Sequence, residues 1–265
     1  MTAIALTIAG SDSGGGAGIQ ADLKAFSALG VYGASVITAV TAQNTCAVTA
    51  VHEVPAEVVG AQIAAVLDDL SVNAVKLGML FSPAIIAEVA GHLQGHHGPV
   101  VLDPVMIAKS GDPLLQDEAV AALMHDLLPL ATLLTPNLPE AARLLDAEPA
   151  DTVAAMAEQG RALLARGPKA VLMKGGHGTG EILTDLLITP HYQVELTAPR
   201  RETRNTHGTG CTLSSAIAAG LATGLDTEHA VRMGHAYLQK AIAAADDLDI
   251  GSGHGPVHHF TGLWA

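Results

Sequence analysis

Apolar and polar residues alternate in blocks along the chain, and these blocks predict a repeated strand–helix pattern. Six short apolar runs have the length and composition of buried strands: residues 4–8, 34–40, 74–77, 100–102, 133–134 and 170–173. Other segments place apolar residues three and four positions apart, which is typical of helices with one buried face. Because parallel strands need crossover connections, the alternation predicts an α/β fold with a mostly parallel central sheet and helices on both faces.

Local signals locate three of the helices. The first is predicted over about 18–29, directly after a glycine-rich loop. The second, over about 56–70, has an apolar stripe of Val59, Ile63, Val66, Leu67 and Leu70. Asp151 or Thr152 caps the third, which ends before Gly167-Pro168. Its predicted stripe consists of Val153, Met156, Leu163 and Leu164.

The edge of the sheet and the domain count follow from the rest of the pattern. Residues 184–188 and 192–196 alternate more strictly than the other runs, which predicts an antiparallel hairpin at the sheet edge. No linker, repeat or low-complexity segment interrupts the chain. We therefore expect residues 1–265 to form one domain.

Composition and charge exclude several kinds of partner. Hydrophobic residues make up 49% of the 265 positions and aromatic residues 3%, so the core must consist of Ala, Val, Leu and Ile. The formal net charge of −13 argues against nucleic acid as a partner. The richest apolar stretch, residues 119–138, is interrupted by His125, Asp126, Pro129 and Pro136, so we expect no membrane span. The chain starts without a basic leader and carries only Cys46 and Cys211, which favours a reducing cytoplasm.

Two glycine-rich segments are the main candidates for binding chemistry. Residues 205–215 read Asn-Thr-His-Gly-Thr-Gly-Cys-Thr-Leu-Ser-Ser and precede an alanine-rich run, 216–221, that predicts a helix. Glycines let backbone N–H groups converge, and a helix start adds unpaired donors, so this turn suits an anion. The second segment, 10–18, follows the first strand. We expect the two segments to meet around one small cavity, although they are nearly two hundred positions apart.

Further candidates lie where the predicted strands end. In parallel α/β sheets, ligands bind beyond the carboxyl ends of the strands. The residues in that position are Gly10 to Gly18, Gln43, Met79, Asp103, Pro136 to Glu140 and Lys174 to Gly178. This set predicts a polar site at one edge of the sheet.

Two common nucleotide motifs fit poorly. Residues 16–21 match the dinucleotide pattern G-x-G-x-x-A, but that fingerprint also needs an acid at the end of the second strand. The second strand ends in Thr41-Ala-Gln-Asn44, without a carboxylate. No Gly-Lys dipeptide occurs, which excludes a Walker-type phosphate loop.

The motifs together resemble a known family of kinases. The main matches are 10–24, Gly-Ser-Asp-Ser-Gly-Gly-Gly-Ala-Gly-Ile-Gln-Ala-Asp-Leu-Lys, and 208–215, Gly-Thr-Gly-Cys-Thr-Leu-Ser-Ser. Further matches cover nearly the whole chain: 41–45, 76–79, 103–106, 108–111, 135–137 with Glu140, 174–177 and 255–260. They resemble the hydroxymethylpyrimidine/phosphomethylpyrimidine kinases of thiamine biosynthesis, which belong to the ribokinase-like superfamily. The resemblance implies a three-layer α/β/α fold with a small antiparallel edge, ATP and Mg²⁺ as cofactors, and a homodimer.

The resemblance also implies roles for the phosphate-handling residues. Gly208, Thr209, Gly210 and Cys211 would stabilise charge on the moving phosphoryl group. Lys174 would neutralise the nucleotide phosphates, and Asn137 and Asp103 would assist at the nucleotide. Glu140, with Asp103, would hold Mg²⁺, partly through water because this ion keeps much of its hydration shell.

The pyrimidine would lie between the glycine loop and the neighbouring strand ends. Gln43 offers an amide that complements an aminopyrimidine, and Asp22 would accept a hydrogen bond from the ring or the hydroxyl. Gly10 and Met79 would complete the walls. The substrates implied are 4-amino-5-hydroxymethyl-2-methylpyrimidine and its monophosphate.

Cys211 stands where the sugar kinases of the superfamily carry an aspartate that acts as general base. A cysteine at a helix start is expected to have a lowered pKa and to be partly thiolate. It would then either accept the proton of the acceptor hydroxyl, which we favour, or only line the anion site.

Three other functions are compatible with parts of the pattern. A pyridoxal kinase would use the same scaffold, but Gln43 and the Cys211 turn favour the pyrimidine. A cysteine hydrolase would pair Cys211 with His207, but residues four apart across glycines rarely reach that geometry. A non-catalytic binding module would not need Lys174 and Glu140 beside the anion turn.

Overall fold

The computed structural model describes residues 2–106, 115, 117–176 and 180–264, and the predicted motif 108–111 and part of 174–178 lie outside them. The strands are β1 Ile4–Asp12, β2 Tyr32–Gln43, β3 Val48–Glu53, β4 Ala74–Leu77, β5 Val100–Leu102, β6 Leu133–Leu134, β7 Val171–Met173, β8 Ile182–Ile188 and β9 Gln193–Pro199. The α-helices are α1 Gly18–Ala28, α2 Ala56–Asp69, α3 Pro83–Leu93, α4 Asp117–Ala122, α5 Leu138–Leu145, α6 Val153–Leu164, α7 Thr209–Ala222 and α8 Thr227–Ala243. Short π and 3₁₀ segments follow α4 (Leu123–Leu127 and Leu128–Leu130), and Ala245–Leu248 follows α8.

The strands form one sheet, in the order β3-β2-β1-β4-β5-β6-β7-β8-β9. The six strands from β2 to β7 in this order pair in parallel, and β3 and the β8–β9 hairpin add antiparallel edges. The mostly parallel sheet and the antiparallel hairpin after β7 were both predicted from the sequence. All central strands therefore direct their carboxyl ends to one side of the molecule.

The sheet is covered on both faces, because its strands alternate between two apolar cores. Side chains such as Leu6 and Leu77 face a core shared with α2 to α6, while their neighbours Ala5 and Ala74 face a core shared with α1, α7 and α8. Residues buried on both faces explain why the central strands read as continuous apolar runs. The three-layer α/β/α architecture is thus confirmed. None of the helices in the described ranges is long and apolar enough to cross a membrane.

Several local predictions need correction. β1 and β2 extend four and three residues beyond the predicted runs, into the polar segments that border the site. Two elements were not predicted from the sequence: β3, and α3, which Ser82 caps with its hydroxyl. Thr152, not Asp151, caps α6. Val153 is 39% exposed and does not belong to the buried stripe of that helix.

Candidate active site

The two glycine-rich segments meet, as expected from the sequence. Asp12, at the end of β1, lies 2.9 Å from Nε2 of His207, just before the anion turn, and both side chains are buried. A Cβ added to Gly208 would overlap the carbonyl oxygen of Gly16. The turn before α7 and the loop before α1 are therefore in direct backbone contact.

Asp12 organises the first glycine loop and was not predicted as a functional residue. Its carboxylate accepts hydrogen bonds from the N–H groups of Gly14, Gly16 and Ala17, at 2.8 to 3.0 Å. Burial alone would raise its pKa, but His207 and these N–H donors more than compensate and lower it. The only sequence signal is an acid placed two to five residues before glycines whose N–H groups need an acceptor. These N–H groups serve the fold of the loop.

The second glycine segment forms the start of a helix. Gly208 caps α7 with φ of +80°, a left-handed conformation that favours glycine. Thr212 N–H donates to the Gly208 carbonyl and closes the first helical turn. The first N–H groups of a helix have no hydrogen-bond acceptor within the helix. At this turn, these donors and the positive end of the helix dipole are therefore available to an anion.

A cavity of about 410 Å³ opens between these segments and the strand ends. Eleven of the twelve predicted site residues line it: Gly10, Gln43, Met79, Asp103, Asn137, Glu140, Lys174, Gly208, Thr209, Gly210 and Cys211. Asp12, Lys76, Arg143 and His207 also line it, although none of them was given a role in the predicted kinase site. The volume is that of a site for a small organic molecule.

Asp22 is the predicted residue that lies elsewhere. It is fully buried, and its carboxylate accepts hydrogen bonds from Thr7, Lys76 and Ser215. Both oxygens are thus occupied by protein donors, so the predicted contact of Asp22 with the pyrimidine is wrong in this structure. A sequence pattern could not separate a buried helix face from a cavity wall.

Gln43 lies at the end of β2 with its amide at the cavity. Its Oε1 accepts a hydrogen bond from Thr41 at 3.1 Å, and its Nε2 is 3.4 Å from Nε2 of His207. Met79 faces the same cavity, and its sulfur is next to Gly10, where a Cβ would approach it to 2.9 Å. The arrangement offers one amide and two apolar walls.

A compact group of charges lies beside the anion turn. Nζ of Lys174 is 2.8 Å from Oδ1 of Asp103 and 3.8 Å from Oε2 of Glu140. Burial opposes the charged form of Lys174, but the two carboxylates outweigh it and raise the pKa of this lysine above its ordinary value. Burial likewise tends to raise the pKa of Asp103, yet Lys174 and Lys76 lower it. Lys174 therefore stays positive next to the site where phosphate charge would lie.

Glu140 and Asn137 form a capping box at the start of α5. Asn137 Oδ1 accepts from Glu140 N–H, and Glu140 Oε2 accepts from Asn137 N–H, each at 2.8 Å. Burial raises the pKa of Glu140 to about 7, which Lys174 partly offsets and Asp103 reinforces. The pair is thus both a helix cap and part of the cavity wall.

The donor set fits Mg²⁺ only as a partner of phosphate. In the described ranges, no three His, Cys, Asp or Glu residues form a metal cage. Asp103 accepts hydrogen bonds from Lys174, Thr135 and Ser214, so protein donors already occupy much of its carboxylate, and its role at the metal stays a prediction. Glu140 remains the carboxylate suited to a hydrated Mg²⁺, which usually keeps several waters and binds phosphates with one or two carboxylates.

The structure overturns the predicted state of Cys211. The sequence places this thiol in the first turn of a helix, where a lowered pKa is expected. Burial dominates instead and raises the pKa of Cys211 to about 11, although Lys76 and the Gly18 N–H act in the opposite direction. The side chain is a protonated thiol at neutral pH.

A second cavity of about 380 Å³ lies on the other side of the anion turn. Its walls combine apolar residues, such as Leu183 and Leu238, with Asp185, Arg200 and His235. The two cavities share a border of five residues: Asn137, Lys174, Thr206, Thr209 and Gly210. Two ligands can therefore approach each other across one anion site.

Comparison with known proteins identifies the family. A family model described as phosphomethylpyrimidine kinase matches residues 12–258. The chain belongs to the phosphomethylpyrimidine kinase family. It is 60% identical over 264 residues to the hydroxymethylpyrimidine/phosphomethylpyrimidine kinase of Rhizobium meliloti, covering 100% of this chain and 99% of that protein.

Solved structures agree with the assignment to the phosphomethylpyrimidine kinase family. The phosphomethylpyrimidine kinase of Clostridium difficile is 46% identical with a TM-score of 0.80, covering 90% of this chain and 99% of that one. The ADP complex of Bacillus subtilis pyridoxal kinase is 36% identical with a TM-score of 0.90, covering 98% of each chain. The predicted ribokinase-like fold and the predicted class of enzyme, a kinase, are confirmed.

Proposed function

We propose that the chain transfers a phosphoryl group from ATP to 4-amino-5-hydroxymethyl-2-methylpyrimidine, and then phosphorylates the monophosphate to the diphosphate, in thiamine biosynthesis. The observation that carries this proposal is the pair of cavities that meet at the anion turn and Lys174. Phosphoryl transfer depends mainly on alignment and on neutralisation of phosphate charge, and this border supplies both. The family and its named relatives support the pyrimidine over pyridoxal.

The acceptor occupies the cavity of Gly10, Gln43 and Met79, and ATP occupies the cavity beyond the anion turn. Lys174 and the N–H groups of α7 hold the transferred phosphoryl group between them. Glu140 would hold Mg²⁺ through water, and the bound ion would supply positive charge that neutralises the phosphates. Cys211 accepts the proton of the acceptor hydroxyl from its minor thiolate form.

A coupled assay of ADP release tests the acceptor. We expect turnover with the pyrimidine alcohol and with its monophosphate, and weaker turnover with pyridoxal. Gln43→Ala should raise KM for the pyrimidine about 10- to 100-fold, because the ring nitrogen and the exocyclic amine lose the Gln43 amide as their hydrogen-bond partner. KM for ATP should not change. Gln94→Ala, at the exposed end of α3, is the control.

Two results would contradict this assignment. Pyridoxal used better than the pyrimidine would replace the acceptor. An equal loss of ATP affinity in the Gln43 variant would place this residue in the wrong cavity.

We also propose that the chain is a cytoplasmic homodimer of single-domain subunits. The resemblance to the family supports the dimer, and the free thiols of Cys46 and Cys211 suit a reducing compartment. Val40 on β2 is about half exposed beside the edge strand β3, where unpaired backbone groups favour association. Sedimentation equilibrium measures the mass; a monomer at micromolar concentration would refute the dimer.

A further inference from the structure

A buried ion pair lies beneath the anion turn and has no role in the scheme above. Lys76 in β4 and Asp22 in α1 are both 0% exposed, and Nζ lies 2.9 Å from Oδ2. Thr7 in β1 and Ser215 in α7 donate to the two oxygens of Asp22, each at 2.6 Å. The carboxylate thereby joins three elements that meet below the site.

The ammonium group of Lys76 has unused capacity. Its three N–H donors have two bonded acceptors, the oxygens of Asp22 at 3.0 and 2.9 Å, and none other within the described ranges. Lys76 also borders the acceptor cavity together with Cys211. A Cβ on Gly78 would lie 2.7 Å from Nζ, so this glycine leaves room for the ammonium.

The pair lies on the side of α7 that carries Cys211. Ser215, which bonds to Asp22, is four residues after Cys211, so the two side chains share one face of the helix. The positive charge is therefore fixed under the first turn, where an anion would bind from above. Lysine is almost never fully buried unless it is paired, and here Asp22 is the partner.

Stability alone does not explain the pair. Removing two charges from water costs several kcal/mol per ion, and apolar residues of similar size often replace a buried pair without loss of stability. Breaking the pair by removing one partner is costly, but that cost concerns the charge left behind. A functional use of the charge accounts better for its position.

We propose that Lys76, held in place by Asp22, is a positioning residue for phosphoryl transfer that supplies fixed positive charge beneath Cys211 and the first turn of α7. This charge stabilises the thiolate of Cys211 and the anion above it. The part of this proposal that concerns turnover rests on the proposed function. The effect of the Lys76 charge on the Cys211 thiol does not require a substrate.

The charges that surround Cys211 support this role. Lys76 lowers the pKa of the thiol, while Asp22 and Asp103 raise it. The thiolate of Cys211 in turn raises the pKa of Lys174. Lys76 is thus a cation that partly offsets the effect of burial on Cys211.

The reactivity of Cys211 with iodoacetamide tests the proposal without substrate. In a Cys46→Ser background, Cys211 is the only thiol, because the chain has two cysteines. Lys76→Met should slow alkylation at pH 9, and Asp22→Asn should accelerate it, by about tenfold for each unit of pKa change. The opposite signs distinguish a charge effect from damage to the fold, which would move both variants in the same direction.

Two more variants complete the design. Thr7→Val removes one hydrogen bond to Asp22 without changing any charge, and it should leave alkylation unchanged while lowering Tm. Lys76→Met with Asp22→Leu removes both charges, so its rate should lie between those of the single variants. If Lys76→Met does not fold, the Asp22→Asn variant and this double variant still decide the sign.

Measurements of turnover distinguish a failure of this proposal from a failure of the proposed function. In Lys76→Met, kcat should fall at least about tenfold while KM for ATP changes little, since the lost charge acts mainly on the reacting groups. Unchanged or same-direction alkylation in the single variants would overturn the role of Lys76. Opposite alkylation shifts in a protein without pyrimidine kinase activity would leave that role intact and refute the proposed function.

Discussion

At the scale of single residues, Cys211 shows how two opposing effects decide the state of a side chain. A helix start favours a thiolate, with an effect of a fraction of a kcal/mol to about 2 kcal/mol. Removing the anion from water costs more, and burial raises the pKa of Cys211 to about 11. The sequence reveals the position in the helix but not the depth of the thiol. The expected partial thiolate at neutral pH is therefore wrong, while the role as proton acceptor remains a prediction.

This pKa predicts how turnover depends on pH. The thiolate fraction rises about tenfold per pH unit as long as the pH stays below the pKa of about 11. With Cys211 as proton acceptor, kcat should rise steeply between pH 7 and 9, and Cys211→Ala should lose this slope together with about 10²- to 10⁴-fold in kcat. Single-turnover rates over this pH range measure it. A variant with the same rate and the same slope would show that Cys211 only lines the anion site.

At the scale of elements, two glycines of the anion turn differ in what they tolerate. Gly208 has φ of +80°, and a Cβ there would overlap the Gly16 carbonyl. Gly210 lies within α7 with helical backbone, and a Cβ there would lie 3.5 Å from Asp103 and Lys174. Backbone conformation therefore requires glycine at Gly208 but not at Gly210. Side-chain volume at Gly210 would instead enter the space of the anion.

The difference predicts two distinct outcomes. Gly208→Ala should lower Tm clearly, because a left-handed conformation costs about 1–2 kcal/mol for an L-residue and the clash adds to it. Gly210→Ala should keep Tm within a few degrees but raise KM for ATP. Differential scanning calorimetry and steady-state kinetics on the same preparations separate the two effects. Equal destabilisation by both substitutions would show that the turn needs glycine at both positions for the same reason.

The elements that sequence predicted best are those buried on both faces. β4, β5 and β6 match the predicted runs residue for residue, because every position in them is apolar or buried. β3 was missed because none of its side chains is buried, which leaves no apolar alternation to detect. Asp12 and Lys76 were missed because a polar residue within a strand gives no sign of its partners, which lie on distant elements. The site residues at strand ends were found because topology alone brings those ends together.

At the scale of the whole molecule, the C-terminal segment, residues 255–259, connects the anion turn to α7 and α8. His207 N–H donates to the Gly255 carbonyl, so the segment pairs with the residue just before the anion turn. Further along, Nε2 of His259 is 3.0 Å from the hydroxyl of Thr212 in α7, and Tyr237 in α8 donates to the His259 carbonyl. The last residues of the fold therefore help to hold the first turn of α7 in place.

His259 makes this attachment sensitive to acid. Burial, together with the nearby positive charges of Lys24, His258 and His207, lowers the pKa of His259 to about 3. The unfolded chain binds the proton near pH 6.5, whereas the folded chain does not until the pH approaches 3. As the pH falls below about 6.5, the free energy of unfolding should therefore decrease by about 1.4 kcal/mol per pH unit from this group alone.

Urea unfolding at pH 7 and pH 5 measures the contribution of this histidine. His259→Gln keeps a hydrogen-bonding side chain near Thr212 but cannot bind the proton, so its stability should decline by about 2 kcal/mol less over this interval than that of the original chain. His125→Gln, at a side chain that is 90% exposed, is the matched control and should follow the original chain. If the free energy of unfolding declines equally in all three proteins, His259 takes up its proton in the folded state. The C-terminal segment would then not be held to Thr212 through a neutral imidazole.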